Sequence, residues 1–157
     1  METVIRFARE DDLAQINELR RQVNELHAAG KPEIFRPCFS DEMRDYLYEI
    51  RSDAAWQIIA AEADGAVLGY ATLHHIQRPE NPVMRPRDYL EIDEFGVDEA
   101  FRRRGVASAM IAFIRAYARE KGFSRIELNM WEFNRDALAF YEAVGFSTYR
   151  RQMEMDV

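Results

Sequence analysis

The sequence predicts an α/β (α+β) fold in which helices flank a central sheet of mixed, mostly antiparallel strands. Segments with apolar residues at every second position alternate with segments whose apolar residues recur every three or four positions, in the order β-α-α-β-β-β-α-β-α-β. The Asp64-Gly65 pair between two strand-like segments indicates an antiparallel hairpin. In the second half, two neighbouring strands are each followed by a helix, which indicates parallel pairing.

Length and composition narrow the class of protein. The 157 residues, 48% of them hydrophobic, are enough for one core, so we expect a single domain spanning residues 1–157. A net charge of −7 argues against a nucleic-acid partner. No apolar segment approaches the roughly 20 residues that cross a bilayer, and the charged start METVIRFARED is unlike a signal peptide. We therefore expect a cytoplasmic protein with no membrane role.

The first half begins with a short strand at residues 3–7, followed by a helix that Asp11 or Asp12 caps and that Gly30 ends. The apolar face of this helix contains Leu13, Ile16, Leu19, Val23 and Leu26. Ser40 is typical of the cap of a second helix. The inward residues of that helix are Met43, Tyr46, Leu47 and Ile50. The connection at residues 31–39 contains proline and two phenylalanines, Phe35 and Phe39, that we expect at the surface.

Strands follow at residues 56–62 and 67–75 and, after a connection at 77–88, at residues 89–97. Three prolines in that connection predict irregular structure throughout it. A helix at 105–121 ends at Gly122, and another strand covers 125–131. Asn134 caps a short helix that ends at Gly145, with Ala137, Phe140, Tyr141 and Val144 inward, and a last strand is predicted at 146–155.

Three arginines stand directly before a helix in the stretch FRRRGVASAM, residues 101–110. Cations usually stabilise the other end of a helix, because the N-terminal N–H groups already carry partial positive charge. Arg102, Arg103 and Arg104 therefore indicate an anionic ligand, and Gly105 allows close approach of the backbone. Neither G-x-G-x-x-G nor G-K-[ST] is present, so the common dinucleotide and nucleotide sites are not indicated. A solvated turn is the alternative.

The segments on either side of the arginine stretch favour an anion-binding site over a solvated turn. RRRGVA resembles the R/Q-x-x-G-x-G/A turn with which the GNAT acetyltransferase superfamily binds the pyrophosphate of coenzyme A, with Ala107 where glycine is also common. The preceding IDEFGVDEAF resembles the fourth strand of that family. The following NRDALAFYEAVGF resembles its N-x-x-A-x-x-x-Y-x-x-x-G-F segment. The resemblance covers residues 89–146 and implies a GNAT-like sheet with splayed central strands.

The resemblance implies acetyl-CoA as co-substrate. Backbone amides at Arg103, Arg104, Gly105, Val106, Ala107 and Ser108 would bind the pyrophosphate, and the guanidinium groups, that of Arg102 included, would add charge-assisted bonds. The main chain of Phe95, Gly96 and Val97 would pair with the pantetheine arm in the gap between the splayed strands. We expect a bulge near Gly96. Asn134 would bond the arm, and Ala137 and Phe140 would line its side.

Acetyl transfer to an amine needs a base, a donor for the developing oxyanion and an acid for the leaving thiolate. Glu94 or Asp93 is the candidate base, with Glu91 on the same strand. Regular alternation places Glu91 and Asp93 on one face and Glu94 on the other, unless a bulge reverses them. A strand N–H near Val97 would serve the oxyanion, and Tyr141, at the family tyrosine, would be the acid. Edge charges and a core tyrosine are the structural alternatives.

The sequence thus predicts an N-acetyltransferase for a primary amine. Acidic charge near the reaction centre favours a small cationic acceptor, over which Phe35 and Phe39 would close. A protein or peptide amino group is the second hypothesis, and a non-catalytic acyl-CoA-binding module is the third. The single cysteine, Cys38, and histidines without ligand spacing predict no disulfide framework and no metal site. The acyl-chain preference stays open, and a homodimer is compatible with these observations.

Overall fold

A computed structural model describes residues 2–157. Five strands form one sheet in the order β1-β2-β3-β4-β5, with every neighbouring pair antiparallel except β4 and β5, which are parallel. The predicted mixed, mostly antiparallel sheet is therefore confirmed. The elements are β1 (Val4–Phe7), α1 (Leu13–Gly30), α2 (Asp41–Arg51), β2 (Trp56–Ala63), β3 (Ala66–Arg78), β4 (Arg87–Val97), α3 (Val106–Glu120), β5 (Ile126–Leu128) and α4 (Arg135–Ala143).

The sheet separates two apolar cores. Alternate residues of each strand face opposite sides, so neighbours such as Ile58 and Ile59 belong to different cores. The core on the α3 face includes Ile59, Leu73, Leu90, Met110 and Ile114. The core on the face of α1 and α2 includes Leu13, Ile16, Leu47, Ile58 and Tyr70. The side chains of β4 therefore point alternately to the two faces of the sheet. The register of the strand decides which of them reach α1 and α2 and which reach α3.

Several helix ends follow from local side chains and match the predictions. Ser40 Oγ accepts a hydrogen bond from Met43 N at 3.2 Å, and Asn134 Oδ1 accepts one from Ala137 N at 3.1 Å. Gly122 and Gly145 have φ of +80° and +104°, the left-handed conformation that ends helices without a Cβ penalty. Within residues 2–157, no helix combines the length and the apolar character needed to cross a membrane.

The start of α1 differs from the prediction, because the Asp12 side chain does not cap this helix. Its carboxylate instead accepts bonds from Arg6 Nη1 at 2.6 Å, Arg6 Nη2 at 2.9 Å and Arg9 N at 2.6 Å. Asp12 is buried, and the bidentate guanidinium contact is stronger than a single cap bond. The carboxylate therefore fastens β1 to the start of α1.

The connection between β3 and β4 is shorter than predicted. Gln77 pairs with Asp88 and Arg78 with Arg87, so both ends of the predicted irregular segment 77–88 are strand. The three prolines lie at 79, 82 and 86, between these pairs. A proline removes only its own backbone donor, and the residues outside the prolines continue the ladder.

The end of the chain has less strand than predicted. β5 covers Ile126–Leu128 rather than 125–131, and the strand predicted at 146–155 is absent from the described part of the chain. Residues 147–157 are exposed. The alternation of polar and apolar residues was a false signal here, because no core face receives the apolar side chains.

We expect Asp12→Asn to lower the free energy of unfolding at pH 7 by about 1–3 kcal/mol, since Arg6 loses its bidentate charged partner and keeps the longer contact with Glu62 at 3.7 Å. The hydrogen bond from Arg6 holds the pKa of Asp12 below its usual value. This stabilisation is therefore complete above the unfolded pKa of about 3.9 and disappears as the pH falls through the folded pKa. Chemical denaturation at several pH values measures the difference. Asp11→Asn, at an exposed neighbour, is the control. A loss independent of pH contradicts this role for the charge.

Candidate functional site

A gap opens in the sheet where β4 and β5 separate. The two strands pair only at Leu90–Ile126, Glu91–Glu127 and Ile92–Leu128, although β4 continues to Val97. On its other side, β4 stays paired with β3 as far as Val97. The last five residues of β4, 93–97, thus have one edge that β5 does not pair with, and the predicted splaying of these strands is present.

The hydrogen-bond phase determines which groups face the gap. Asp98 N donates to Leu68 O at 2.8 Å, which fixes the alternation along the paired strands. The backbone groups of Gly96 therefore point towards Tyr70 of β3, and those of Phe95 and Val97 point towards the open edge. A Cβ at Gly96 would lie 2.7 Å from the Tyr70 ring and 3.0 Å from Val23. Gly96 is required by this close packing.

A bulge in β4 decides where the candidate carboxylates lie. Ile92 pairs with Leu73 and Glu94 with Thr72, so Asp93 is the extra residue. The bulge lies at Asp93 and not near Gly96, where β4 and β3 pair regularly. Two consecutive side chains, those of Asp93 and Glu94, consequently face α1 and α2 together. This answers the question that simple alternation left open.

Arg20 of α1 holds the Glu94 carboxylate. Arg20 Nε donates to Glu94 Oε2 at 2.7 Å, and Arg20 Nη2 donates to Oε1 at 2.9 Å. Arg20 Nη1 donates to Asn17 Oδ1 at 2.9 Å and to the Met43 carbonyl oxygen. Both oxygens of Glu94 are thus engaged by one buried cation.

Asp93 has a different environment from Glu94. Tyr46 of α2 donates a long hydrogen bond to Asp93 Oδ2 at 3.5 Å, and none of the ion pairs among residues 2–157 includes Asp93. Burial, followed by the charge of Glu94, raises the pKa of Asp93. The pKa of Glu91 is raised by burial and by Asp93. Asp93 is therefore a stronger proton acceptor than an ordinary aspartate side chain.

Aromatic side chains surround these carboxylates on the face of α1 and α2. Trp56 stacks on His74 with 3.9 Å between ring centroids, and Tyr46 meets Trp56 edge-on at 6.1 Å. Further along, Phe35 contacts Trp131 edge-on at 4.9 Å. This last contact connects the α1–α2 connection with the segment after β5.

The arginine turn lies at the N-terminus of α3, beyond the end of β4. Arg103 and Gly105 have φ of +60° and +83°, and Gly105 is the N-cap residue. The first helical bond runs from Ala109 N to Gly105 O, so the N–H groups before it have no partner within the helix. A Cβ at Gly105 would meet no atom within 4 Å. Arg102 Nε donates to Val97 O at 3.2 Å, which ties the turn to the free edge of β4.

Tyr141 of α4 packs beside the gap. Its ring lies 6.1 Å from that of Phe95, 5.4 Å from Phe140 and 5.7 Å from Phe146. Burial raises the pKa of Tyr141 to about 12. The buried Tyr70 hydroxyl has a raised pKa through burial and then through Glu94, and the charges of Asp93 and Tyr141 also reach it. Tyr70 is thus within electrostatic range of both the carboxylates and Tyr141.

The other residues predicted to contact the cofactor arm also lie at or on α4. The Asn134 side chain caps α4 through Oδ1, which leaves its amide group for another partner. Phe140 stacks against Phe95 with 6.1 Å between centroids, and Ala137 is half-buried. A separate cavity of about 220 Å³ lies on the other face, among Gln57, His75, Leu90, Tyr117, Lys121 and Phe123. No carboxylate lines that cavity, so it lacks the base that the predicted chemistry needs.

Sequence reasoning missed two parts of the site. Arg20 was overlooked, although it lies at helical spacing from Ile16 and Val23 and thus places a charge on the apolar face of α1. Tyr46 was predicted only as an inward residue. Its contact with Asp93 joins residues 47 positions apart in the sequence, and no local sequence pattern predicts such a contact.

Comparison with known proteins agrees with this geometry. Residues 20–146 match the acetyltransferase (GNAT) family. The chain belongs to this family. The match includes β4, the arginine turn, α4 and Tyr141, which are the parts that form the gap and its surroundings.

Individual GNAT relatives are distant. Human N-acetyltransferase 8 is 29% identical over 107 residues, which are 68% of this chain and 44% of that protein. A mutant of the BH1408 protein from Bacillus halodurans has a TM-score of 0.91 at 26% identity, covering 98% of this chain and 99% of that one. The aminoglycoside acetyltransferase AAC(6')-Iy, in complex with a bisubstrate analogue, has a TM-score of 0.78 at 20% identity, covering 100% and 99%. At this identity the likeness concerns the fold. The chain spans about half the length of the curated relatives it matches.

We expect the Asp93 carboxyl to titrate above its usual pKa, and Tyr46→Phe to raise that pKa further. The Tyr46 hydroxyl stabilises the ionised form, and a net hydrogen bond of about 0.5–1.5 kcal/mol corresponds to a rise of up to about 1. Carboxyl ¹³C NMR measures it. Tyr48→Phe, at an exposed tyrosine on the same helix, should leave the titration unchanged. Equal titration curves for both variants would show that the Tyr46 contact has no influence.

Proposed function

We propose that this GNAT protein transfers an acetyl group from acetyl-CoA to a primary amine of a small cationic molecule. The observation that carries the proposal is the gap between β4 and β5, which lies between the bulge with Asp93 and the arginine turn. Family membership and the N-acetyltransferase names of the relatives support the acetyl-transfer class. The environment of Asp93 supports the charge of the acceptor.

The described residues fit coenzyme A. Free N–H groups at the start of α3 suit a pyrophosphate, and the open space at Gly105 permits close approach. Arg102, Arg103 and Arg104 add positive charge. The N–H and C=O of Phe95 and the N–H of Val97 point into the gap and can pair with the amides of the pantetheine arm, whereas Val97 O accepts from Arg102. The Asn134 amide, Ala137 and Phe140 lie on the α4 side.

Acetyl-CoA supplies an acetyl group already activated as a thioester. Asp93 accepts the proton of the bound ammonium, which frees the amine to attack. The N–H of Val97 points towards the gap and donates to the negative charge that develops on the acyl oxygen. Tyr141 stays protonated at neutral pH, because its pKa is about 12, and donates to the departing sulfur.

Asp93 suits the role of base better than Glu94. Both oxygens of Glu94 accept charge-assisted bonds from Arg20, and taking up a proton there would break the ion pair. Asp93 has only the long contact with Tyr46, and its raised pKa brings it nearer to the pH at which it works. Glu91, two residues earlier on the same face, adds negative charge that attracts a cationic acceptor.

The acceptor side offers both charge and aromatic surface. The chain carries a net charge of −7, and Asp93 contacts Tyr46, whose ring meets that of Trp56 edge-on. Cations bind over aromatic faces with about 0.5–2 kcal/mol. An ammonium group would therefore find both kinds of contact. Phe35, in the α1–α2 connection, contributes a further ring beside Trp131.

Acetyl-CoA should raise the melting temperature of the wild-type protein, because a ligand that binds only the folded state stabilises it by about 2.7 kcal/mol at a hundred times Kd. Gly105→Glu should abolish that shift through bulk and repulsion of phosphate. Gly122→Glu is a matched control, since Gly122 also has positive φ and open space but lies at the other end of α3. Equal stabilisation of both variants by acetyl-CoA would contradict the proposed phosphate site.

Activity is tested by thiol release from acetyl-CoA over a panel of diamines, amino acids, aminoglycosides and peptides. We expect release with small cationic amines. Release with peptides alone assigns the second hypothesis, a protein amino-group acetyltransferase. Stabilisation by acetyl-CoA without release over the whole panel assigns the non-catalytic binding module.

With a responding amine, Tyr141→Phe should lower kcat by about 10²–10⁴-fold with little change in the KM for acetyl-CoA, because the hydroxyl acts mainly in the transition state. The retained ring preserves packing against Phe95 and Phe140. Tyr149→Phe, at an exposed tyrosine, controls for the substitution itself. Steady-state kinetics and the melting temperature together distinguish a hydroxyl that acts in the reaction from one that only contributes to packing. Unchanged kcat in Tyr141→Phe removes this hydroxyl from the reaction.

A further inference from the structure

The Arg20 side chain is the most heavily bonded cation in the vicinity of the bulge. It is 6% exposed and lies on the apolar face of α1. Its donors reach Asn17 on its own helix, the Met43 carbonyl of α2 and both oxygens of Glu94 on β4. The rings of Phe39 and Tyr46 lie 5.5 Å and 5.6 Å from its guanidinium carbon. One side chain thus joins two helices to the bulged strand.

A buried guanidinium has no route to neutrality, since arginine does not lose its proton in proteins. Burial of Arg20 is therefore tolerated because the Glu94 carboxylate compensates its charge. The same pairing places the Glu94 carboxylate, with both oxygens bonded to Arg20, directly beside Asp93. Without a cation, two carboxylates side by side on one face repel each other, which raises the higher of their two apparent pKa values.

Groups from four elements face the Asp93–Glu94 pair. Arg20 approaches from α1, and the charge of Glu94 also acts on His27 of the same helix. Tyr46 approaches from α2, and Tyr70 and His74 from β3. Glu91 lies on β4 itself. Within this set, Arg20 is the permanent cation in bonding contact with the pair, so its removal has the largest electrostatic effect.

We propose that Arg20 is a positioning residue that assigns the proton transfer to Asp93, by bonding both oxygens of Glu94 and by fixing the bulge against α1 and α2. The inference rests on the proposed acetyltransferase function. Arg20 does not touch the reacting atoms. It acts through Glu94, and its effect is visible in the pH dependence of both the carboxyl groups and the reaction.

Arg20→Met and Arg20→Lys test the proposal by carboxyl ¹³C NMR and by the pH dependence of kcat/KM with an accepted amine. In Arg20→Met, the higher apparent pKa of the Asp93–Glu94 pair and the acidic limb of the rate profile should move up by about one pH unit or more. Arg20→Lys keeps the charge, so its pKa and its acidic limb should lie close to those of the wild type. Its kcat should stay below the wild-type value because the bidentate fork is lost. A uniform loss of rate at every pH overturns the proposal.

The double variant Arg20→Met/Glu94→Gln removes both members of the pair. In this double variant, the titration of the Asp93 carboxyl and the acidic limb of the kcat/KM profile should lie close to those of the wild type, because the carboxylate of Glu94 is no longer beside Asp93. A limb that stays where Arg20→Met placed it overturns the coupling. If Arg20→Met alone does not fold, the titration and the acidic limb of Glu94→Gln and of Arg20→Lys are compared with those of the wild type, and identical curves in all three proteins overturn the coupling. Glu94→Gln alone should keep a pH-dependent rate, and complete inactivity at every pH would instead identify Glu94 as the base.

The two levels of inference fail separately. Absence of thiol release by the wild-type protein over the amine panel overturns the proposed function. An Asp93–Glu94 titration that is the same in wild type and in Arg20→Met overturns the role of Arg20, whether or not turnover is observed.

Discussion

One extra residue in β4 determines the arrangement of the candidate site. Without the bulge, Glu94 would face α3, and Arg20 would be buried on α1 without its counter-charge. With the bulge, Asp93 and Glu94 both face α1 and α2, and the backbone groups of Phe95 and Val97 point into the gap. The same irregularity therefore sets the position of the acidic side chains and the direction of the free backbone donors.

The site depends on charge separation along a single strand. Carboxylates cluster at the middle of β4, whereas arginines follow its end, with Asp98 to Phe101 between them. This order places a surface for cations and a surface for anions at the two ends of the gap. A chain with a net charge of −7 can therefore combine the proposed acidic reaction centre with the proposed phosphate site.

Local features of the sequence were predictable, and features that depend on distant pairing were not. Ser40, Asn134, Gly122 and Gly145 act within a few residues of themselves, so their patterns indicate helix ends directly. The bulge at Asp93 arises from the register between β3 and β4, and Arg20 meets Glu94 across 74 positions of sequence. The false strand at 146–155 shows the converse, because a period of two forms a strand only where a neighbouring strand and a core receive it.

The lengths of the strands have a consequence for contacts between molecules. The inner strands β3 and β4 have 13 and 11 residues, whereas the edge strands β1 and β5 have four and three. A short edge strand offers few free N–H and C=O groups to a second chain, which discourages edge-to-edge aggregation. The brevity of β5 also leaves the last residues of β4 uncovered, but inside the sheet and beside α4 and Phe140. The uncovered edge of β4 is thus accessible to an extended ligand and screened from another sheet.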